Sequence, residues 1–387
     1  MSNTSKWYPQ EILQEPGVRI SPTEKQTILS KFPLPDENGQ IYADGVFEGG
    51  GVRGVAFLGA LRCCSDLGIR WRKLAGTSAG AITAAMLATD LSIDDLENIL
   101  GQLDYSTFLT QKSSPLIING DPADDLQSPA WTLFFLTVSR QMGEYSSLPF
   151  RQWLETTLAQ GHLHTFADVK KVEGSELKVV ISNLSRGQML VLPDDLKLHE
   201  SPDSGPLFKQ LRLGSAEEFS VAEAVRLSMS IPLFFEPGKL GNDLIVDGGI
   251  LSNFPLWIYD TQSVGINDKQ SVGSTPAIPR WFTFGFRLVD TGIEQQVNIN
   301  SPVSILGAMF RTMMKARDRY HQREMDKGRV INIDVTQAEV TTTDFNLDAD
   351  RKAKLYRLGY LSTKRFFLSD NFSWEKHLKA RGFGELS

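Results

Sequence analysis

IYADGVFEGGGVRGVAFLGALRCCSDLGIRWRKLAGTSAG, Ile41–Gly80, is the stretch that decides the fold. Ile41–Phe47 reads as a strand, which Gly49–Gly51 end. Val55, Leu58, Leu61 and Cys64 or Ser65 then recur at helical spacing through Leu67, and Gly68 supplies a stop signal. Arg72–Ala75 is the next strand, and Ser78 opens a helix running to Ala88. That second helix is mostly Ala, Ile, Met and Leu with no charge, the composition of a helix buried on most sides. Strand, helix, strand, helix with a crossover of about thirty residues implies a parallel pair with a right-handed connection. Both strands therefore end at the same edge of the sheet, and the loops that follow them lie side by side.

On the N-terminal side, residues 1–40 are polar, carry Pro9, Pro16, Pro22, Pro33 and Pro35, and show no sustained period, which predicts an arm or short linker. On the other side, the loop signals SSP, NGDPADD and SSLP surround the apolar run Ala130–Val138, so residues from about 104 to 150 are expected to form a cap or lid over the sheet edge. Leu177–Asn183 and Gln188–Leu192 read as strands joined by the turn Leu184–Gly187. Ser220 and Glu223 form a capping box for a helix that must end before Pro232. Leu244–Val246 is a brief buried strand running into Asp247. A strand at Trp281–Leu288, a helix from about Val303 to Asp326, a strand at Val330–Val335 and a helix at Ala349–Leu368 follow. The main domain is thus expected over 41–370, with a tail at 371–387.

Composition narrows the function. The 387 residues are 41% hydrophobic and 22% charged, ordinary globular usage with room for a sizeable core. A formal charge of -6 offers no broad field for nucleic acid. Cys63 and Cys64 are neighbours in sequence, so no disulfide scaffold is expected and a reducing, cytoplasmic compartment fits. The first thirty residues do not resemble a signal peptide, and Ala130–Val138 falls well short of the ~20 residues needed to cross a bilayer. Membrane contact is expected to be peripheral.

Three short motifs carry the chemistry: GGGVRG at Gly49–Gly54, GTSAG at Gly76–Gly80 and DGG at Asp247–Gly249. The G-x-S-x-G pattern follows a strand and opens a helix, the sharp turn that lifts a serine hydroxyl out of a sheet; the plainer reading is that Ser78 only caps a helix. Gly49–Gly54 occupies the equivalent place after the first strand, where N–H groups of Gly50 and Gly51, joined by that of Ala79, are suited to hold an oxyanion. Arg53 is expected to pair with a carboxylate and brace this loop, the alternative being that it faces the cleft and attracts an anionic head group. Gly49, Gly51 and Gly54 also satisfy G-x-G-x-x-G, but the second strand ends in Gly76, Thr77 and Ser78 without the acidic residue that holds a ribose. Asp247 is a candidate base for Ser78, with Gly248 and Gly249 permitting close approach; taken alone, the DGG reads first as a turn after a strand, and it is the three motifs together that favour the base.

Together these residues resemble the patatin-like phospholipase family, with its glycine-rich oxyanion loop, G-x-S-x-G elbow and D-G-[GA] aspartate in the family's order. The resemblance runs from about Ile41 to Asp370 and includes AVRLSMSIPLFFEP (Ala224–Pro237), DGGILSNFP (Asp247–Pro255), TFGFRL (Thr283–Leu288) and TTDFNL (Thr342–Leu347), stretches similar to a bacterial branch that includes injected phospholipase toxins. It implies a three-layer α/β/α sandwich with a mostly parallel sheet, a Ser78–Asp247 dyad at the strand C-terminal edge, and no cofactor or metal. It implies also a phospholipid or lysophospholipid substrate at a membrane surface and carboxylic-ester hydrolysis through an acyl-enzyme.

Two rivals remain at this level. An α/β-hydrolase triad needs a histidine after Asp247, and only His321 and His377 qualify, both expected on exposed helix faces. A catalytically silent lipid-binding protein would need no intact motif. The His162 and His164 pair lacks companions at metal-ligand spacing and reads as a loop. For the membrane surface, Ala130–Val138 and the basic stretch Lys315–Arg329 are the candidates.

Overall fold

A computed structural model describes residues 7–109, 143–198, 205–260, 279–290, 308, 312, 328–381 and 383. Its strands are β1 (Ile41–Phe47), β2 (Ile69–Thr77), β3 (Gly143–Tyr145), β4 (Glu176–Asn183), β5 (Gln188–Leu192), β6 (Leu233–Phe235), β7 (Gly238–Leu240), β8 (Asp243–Asp247), β9 (Phe282–Val289) and β10 (Val330–Asp334). The helices used below are α1 (Pro9–Gln14), α2 (Pro22–Leu29), α3 (Val55–Leu67), α4 (Ala79–Leu87), α5 (Ile93–Gly101), α6 (Leu148–Gln160), α7 (Val221–Ser228), α8 (Ala349–Leu368) and α9 (Trp374–Ala380).

Eight strands form one mixed sheet in the order β10-β9-β1-β2-β4-β8-β7, with β5 also paired to β4. The β10, β9, β1, β2 and β4 pairings are all parallel, whereas β5 and β8 run antiparallel to β4. Side chains alternate between the faces. Phe47, Leu74, Val179 and Ile181 join Phe282, Phe284 and Phe286 in the large core that also holds Leu61, Ala84 and Leu355 from α3, α4 and α8. Val46, Ala75, Val180 and Val191 point to the other face and pack with Leu256, Ile258 and Tyr259. Central strands that are apolar on both faces belong to a sheet covered on both sides.

The helix α3 follows β1 through a 3₁₀ turn at Gly51–Gly54, and α4 begins directly after β2, as the sequence pattern requires. Behind α3, the Arg62 guanidinium donates to Glu97 Oε1 at 2.7 Å, and the Tyr356 hydroxyl donates to the same oxygen at 2.5 Å. This buried contact ties α3, α5 and α8 together.

Both chain ends differ from their sequence reading. Two prolines that read as linker signals stand in the first turns of α1 and α2, where a missing N–H costs nothing, and Ser21 and Glu24 complete a capping box on α2. Ile28 is fully buried, and Lys31 Nζ donates to Phe367 O at 3.2 Å and Ser369 O at 2.9 Å, closing the C-terminus of α8. In the expected tail, α9 buries His377 and Leu378. His377, expected on an exposed face, lies against the Phe282 and Trp374 rings, and its Nε2 accepts the Thr283 N–H at 3.4 Å. At Ser220 the cap holds the Glu223 N–H as expected, but Glu223 does not close the box, because its carboxylate takes Arg226 Nε at 2.9 Å and Nη2 at 2.6 Å. Of the helix expected at Val303–Asp326 only Ala308 and Thr312 are described, both helical, with the Thr312 hydroxyl donating to Ala308 O at 2.8 Å; His321 and the run Ala130–Val138 lie outside the described residues.

Candidate active site

One strand brings the two candidate catalytic residues together. Thr77, the last residue of β2, is paired with Val180 of β4, and Asp247, the last residue of β8, is paired with Ile181. β5 pairs with β4 over Val179–Asn183 and so takes one edge of it, which leaves β2 and β8 on the other. They run in opposite directions along that edge and stop at adjacent β4 residues. Ser78 and Asp247 consequently meet where the two strands abut.

Ser78 occupies φ 53 and ψ -122, a left-handed conformation that costs a residue with a side chain about 1–3 kcal/mol. The surrounding structure holds it there. Its N–H donates to Ser228 Oγ at 2.9 Å, and that hydroxyl donates to Val180 O at 2.6 Å. The Thr77 hydroxyl donates to Ser252 O at 2.9 Å. Gly76 and Gly80 let the turn close, since a Cβ on Gly80 would lie 2.2 Å from Phe47 O and one on Gly76 would lie 2.2 Å from Gly80 O.

Asp247 is 1% exposed and Ser78 5%. Burial pushes the Asp247 carboxyl up to about 6, opposed by hydrogen bonds from the Ser78 hydroxyl and the Gly249 N–H, the latter at 2.7 Å. A carboxylate so placed is a stronger base than one in water. Gly248 packs under it against Val180 O.

The glycine loop approaches from the end of β1. Gly49 donates its N–H to Asn253 O at 3.0 Å, and its O accepts Asn253 Nδ2 at 3.2 Å. On the far side Val52 N–H donates to Thr342 O at 3.2 Å. Gly51 has φ +56 and a Cβ there would lie 2.0 Å from Thr342 O, so this position takes no other residue without moving the loop. Among the described residues, the N–H groups of Gly50, Gly51 and Ala79 make no hydrogen bond. Arg53 braces the loop in a different way from the expected ion pair: its Nε donates to Gly50 O at 3.4 Å. Burial lowers its pKa, offset by the nearby charges of Glu48 and Asp290. Gly54 ends the 3₁₀ turn.

Gly51, Gly54, Ser78 and Ala79 line a pocket of about 680 Å³, counting its open mouth. The rest of the wall is almost wholly apolar, with Leu58, Leu100, Phe108, Phe150, Trp153 and Phe345 prominent. This lining suits an apolar ligand with one reactive polar group. Sequence reasoning misses Ser228, Asn253, Thr342, Phe345 and the wall of α6. The first four lie within the stretches SMSIP, SNFP and TTDFNL, which carry a resemblance but no local pattern from which to assign a role.

The remaining candidates lie elsewhere. His162 and His164 are both exposed beyond the end of α6, and no cluster of His, Cys, Asp and Glu able to hold a metal occurs among the described residues. Of the basic stretch Lys315–Arg329, only Gly328 and Arg329 are described. Arg329 is not a surface cation: it is 4% exposed and makes a bidentate pair with Asp260 at 2.6 and 2.9 Å. Among the described residues no helix is long and apolar enough to cross a membrane.

The chain belongs to the patatin-like phospholipase family, whose profile matches residues 45–259, the interval that contains the glycine loop, the elbow and Asp247. Its sheet and surrounding helices are the three-layer α/β/α fold of that family, and by class it is a lipid hydrolase. An uncharacterized protein of Bacillus subtilis, YqhO, is 32% identical over 331 residues, which are 84% of this chain and 98% of that protein. The probable lipid hydrolase 463L of Invertebrate iridescent virus 6 is 25% identical over 232 residues, 58% of this chain and 66% of its own. Among solved structures, VipD of Legionella pneumophila aligns with a TM-score of 0.45 at 16% identity, over 87% of this chain and 69% of that one. The type III effector ExoU aligns with a TM-score of 0.41 at 14% identity, over 87% and 53% respectively.

Proposed function

We propose that the protein hydrolyses carboxylic esters of glycerophospholipids or lysophospholipids through an acyl-enzyme on Ser78, with Asp247 as general base. The observation that carries this reading is the abutment of the Ser78 and Asp247 strand ends at adjacent β4 residues, with Ser78 in the wall of an apolar pocket. The Asp247 carboxylate takes the Ser78 proton as Oγ attacks the ester carbonyl. The oxyanion of the tetrahedral intermediate is held by the N–H groups of Gly50, Gly51 and Ala79. Collapse returns the proton to the departing alcohol, and a water deprotonated by Asp247 then releases the fatty acid. The acyl chain lies along Leu58, Phe150 and Phe345, whose apolar surface replaces the water it would otherwise order.

A triad through His377 is disfavoured by its position. His377 contacts Thr283, near the start of β9 and paired with mid-strand Asp44 of β1, whereas the glycine loop and the elbow follow the C-terminal ends of β1 and β2. The lipid must also reach the pocket from a membrane or micelle surface, with any protein activator acting there. The test is fatty-acid release from mixed-lipid vesicles and micelles by the wild type and Ser78→Ala, with fluorophosphonate labelling in parallel. Loss of both signals in Ser78→Ala is expected; equal release by the two proteins would overturn the assignment.

A further inference from the structure

Asn253 lies six residues beyond Asp247, on the segment that also carries the Ser252 carbonyl bonded to Thr77. It is 5% exposed, and its side chain points at the glycine loop rather than into the pocket. Nδ2 donates to Gly49 O at 3.2 Å and to Glu48 Oε1 at 3.4 Å, and Glu48 Oε2 accepts the Leu288 N–H at 2.6 Å, which anchors the arrangement to β9. The Asn253 carbonyl meanwhile accepts the Gly49 N–H at 3.0 Å. A methyl on Gly49 would stand 2.3 Å from Asn253 Oδ1 and 3.3 Å from Ser78 Cβ, so Gly49 sits between the amide and the nucleophile with no room for a side chain.

Gly49 C=O and Gly50 N–H belong to one planar trans peptide, in which oxygen and hydrogen point in opposite directions. Whatever holds the oxygen aims the hydrogen. We propose that Asn253 is a positioning residue, which by gripping the Gly49 carbonyl turns the Gly50 N–H toward the oxyanion formed on Ser78. The proposal rests on the serine-hydrolase reading above. It makes the segment from Asp247 to Asn253 a single device that supplies the base at one end and orients the oxyanion donor at the other. Asn253 touches no substrate; it acts through Gly50.

The consequence is a defect confined to the transition state. In Asn253→Ala the Gly49 N–H keeps its partner, the main-chain carbonyl of residue 253, while the Gly49 carbonyl is released. Loss of one oxyanion donor costs about 10²–10³ in kcat, and a donor still present but poorly aimed should cost about 10- to 100-fold. KM for a micellar lysophospholipid should stay within about threefold, and fluorophosphonate labelling of Ser78 should slow in parallel with kcat. Thermal unfolding of each variant reports the fold. If Asn253→Ala melts below the assay temperature, Gly49→Ala reads the same contact with Asn253 intact, and the same kcat-selective loss is expected. A folded variant with kcat and labelling within twofold of wild type, or one whose KM rises while kcat holds, overturns the positioning role. Full hydrolysis by Ser78→Ala would instead overturn the underlying reading, so the two failures are distinguishable.

Discussion

Replacing Asp247 with asparagine should inactivate the protein and stabilise it. The Asp247 carboxyl is held near 6 by burial, against an ordinary value of 3.8. At ~1.36 kcal/mol per pH unit, that rise corresponds to about 3 kcal/mol by which the fold disfavours the ionised form. Because the folded value lies above the unfolded one, the native protein holds more proton than the unfolded chain between pH 3.8 and about 6, and wild-type stability falls as pH rises through that window. The side-chain amide introduced by Asp247→Asn carries no charge, keeps an oxygen for the Gly249 N–H and loses only this dependence. Urea unfolding of both proteins from pH 4 to pH 8 should therefore show near-equal stability at pH 4 and an advantage of about 2–3 kcal/mol for Asp247→Asn at pH 8. Asp44, also pushed up to about 6 by burial, titrates in both proteins and cancels in the difference. Over the same range wild-type kcat/KM should rise about tenfold per pH unit below pH 6 and level off above it, while the variant falls about 10²- to 10⁴-fold. A wild type at least as stable as Asp247→Asn at pH 8 would refute the argument that this carboxylate is ionised at the expense of the fold.

Gly51→Ala must place a methyl 2.0 Å from Thr342 O at φ +56, so the loop shifts and kcat should fall at least 10²-fold in a folded protein; unchanged kcat in steady-state kinetics would remove Gly51 from the oxyanion site. Phe150→Ala opens the pocket wall, and kcat/KM for long-chain esters should drop at least tenfold more than for short-chain ones, as measured across a p-nitrophenyl ester series. His377→Ala leaves a void between Phe282 and Trp374 and should cost about 2–4 kcal/mol in urea unfolding, while the kcat of the folded fraction stays within twofold; selective loss of kcat would restore a histidine mechanism.

The elements legible in the sequence are those whose information is local. α3 is readable at both ends because an apolar helical period is closed by Gly68, which adopts φ 86 as a left-handed cap. β4 and β5 show as apolar runs around a polar turn, and α8 shows through its length and its Asp348 cap. β2 reads short, at Arg72–Ala75, because Ile69–Trp71 is broken by Arg70 and adjoins the Gly68 stop; its pairing with β1 extends the strand back to Ile69. The N-terminal helices are hidden by prolines that break a helix interior yet suit a first turn. His377 reads as exposed because charged Lys376 and Lys379 flank it on a helix whose other face meets β9. The candidate site divides in the same way. Its glycines, Ser78 and Asp247 lie in short recognisable patterns, whereas Ser228, Asn253 and Thr342 act over 150 or more residues of sequence, a range at which periodicity carries nothing.

The meeting of β2 and β8 against a single edge of β4 also bears on how such a protein can change. Between Ser78 and Asp247 lie 168 residues, yet their spacing is set by two consecutive positions of one buried strand. Loops in the intervening chain can lengthen, shorten or be exchanged without altering that distance, provided β4 keeps its register. On the proposed chemistry, the reacting pair is fixed by a short stretch of sheet, while the acyl-contacting wall is contributed by separate segments, among them α3, α6 and the stretch before α8, so that the two can vary independently. A lineage could diversify its lipids widely while its chemistry stayed constant.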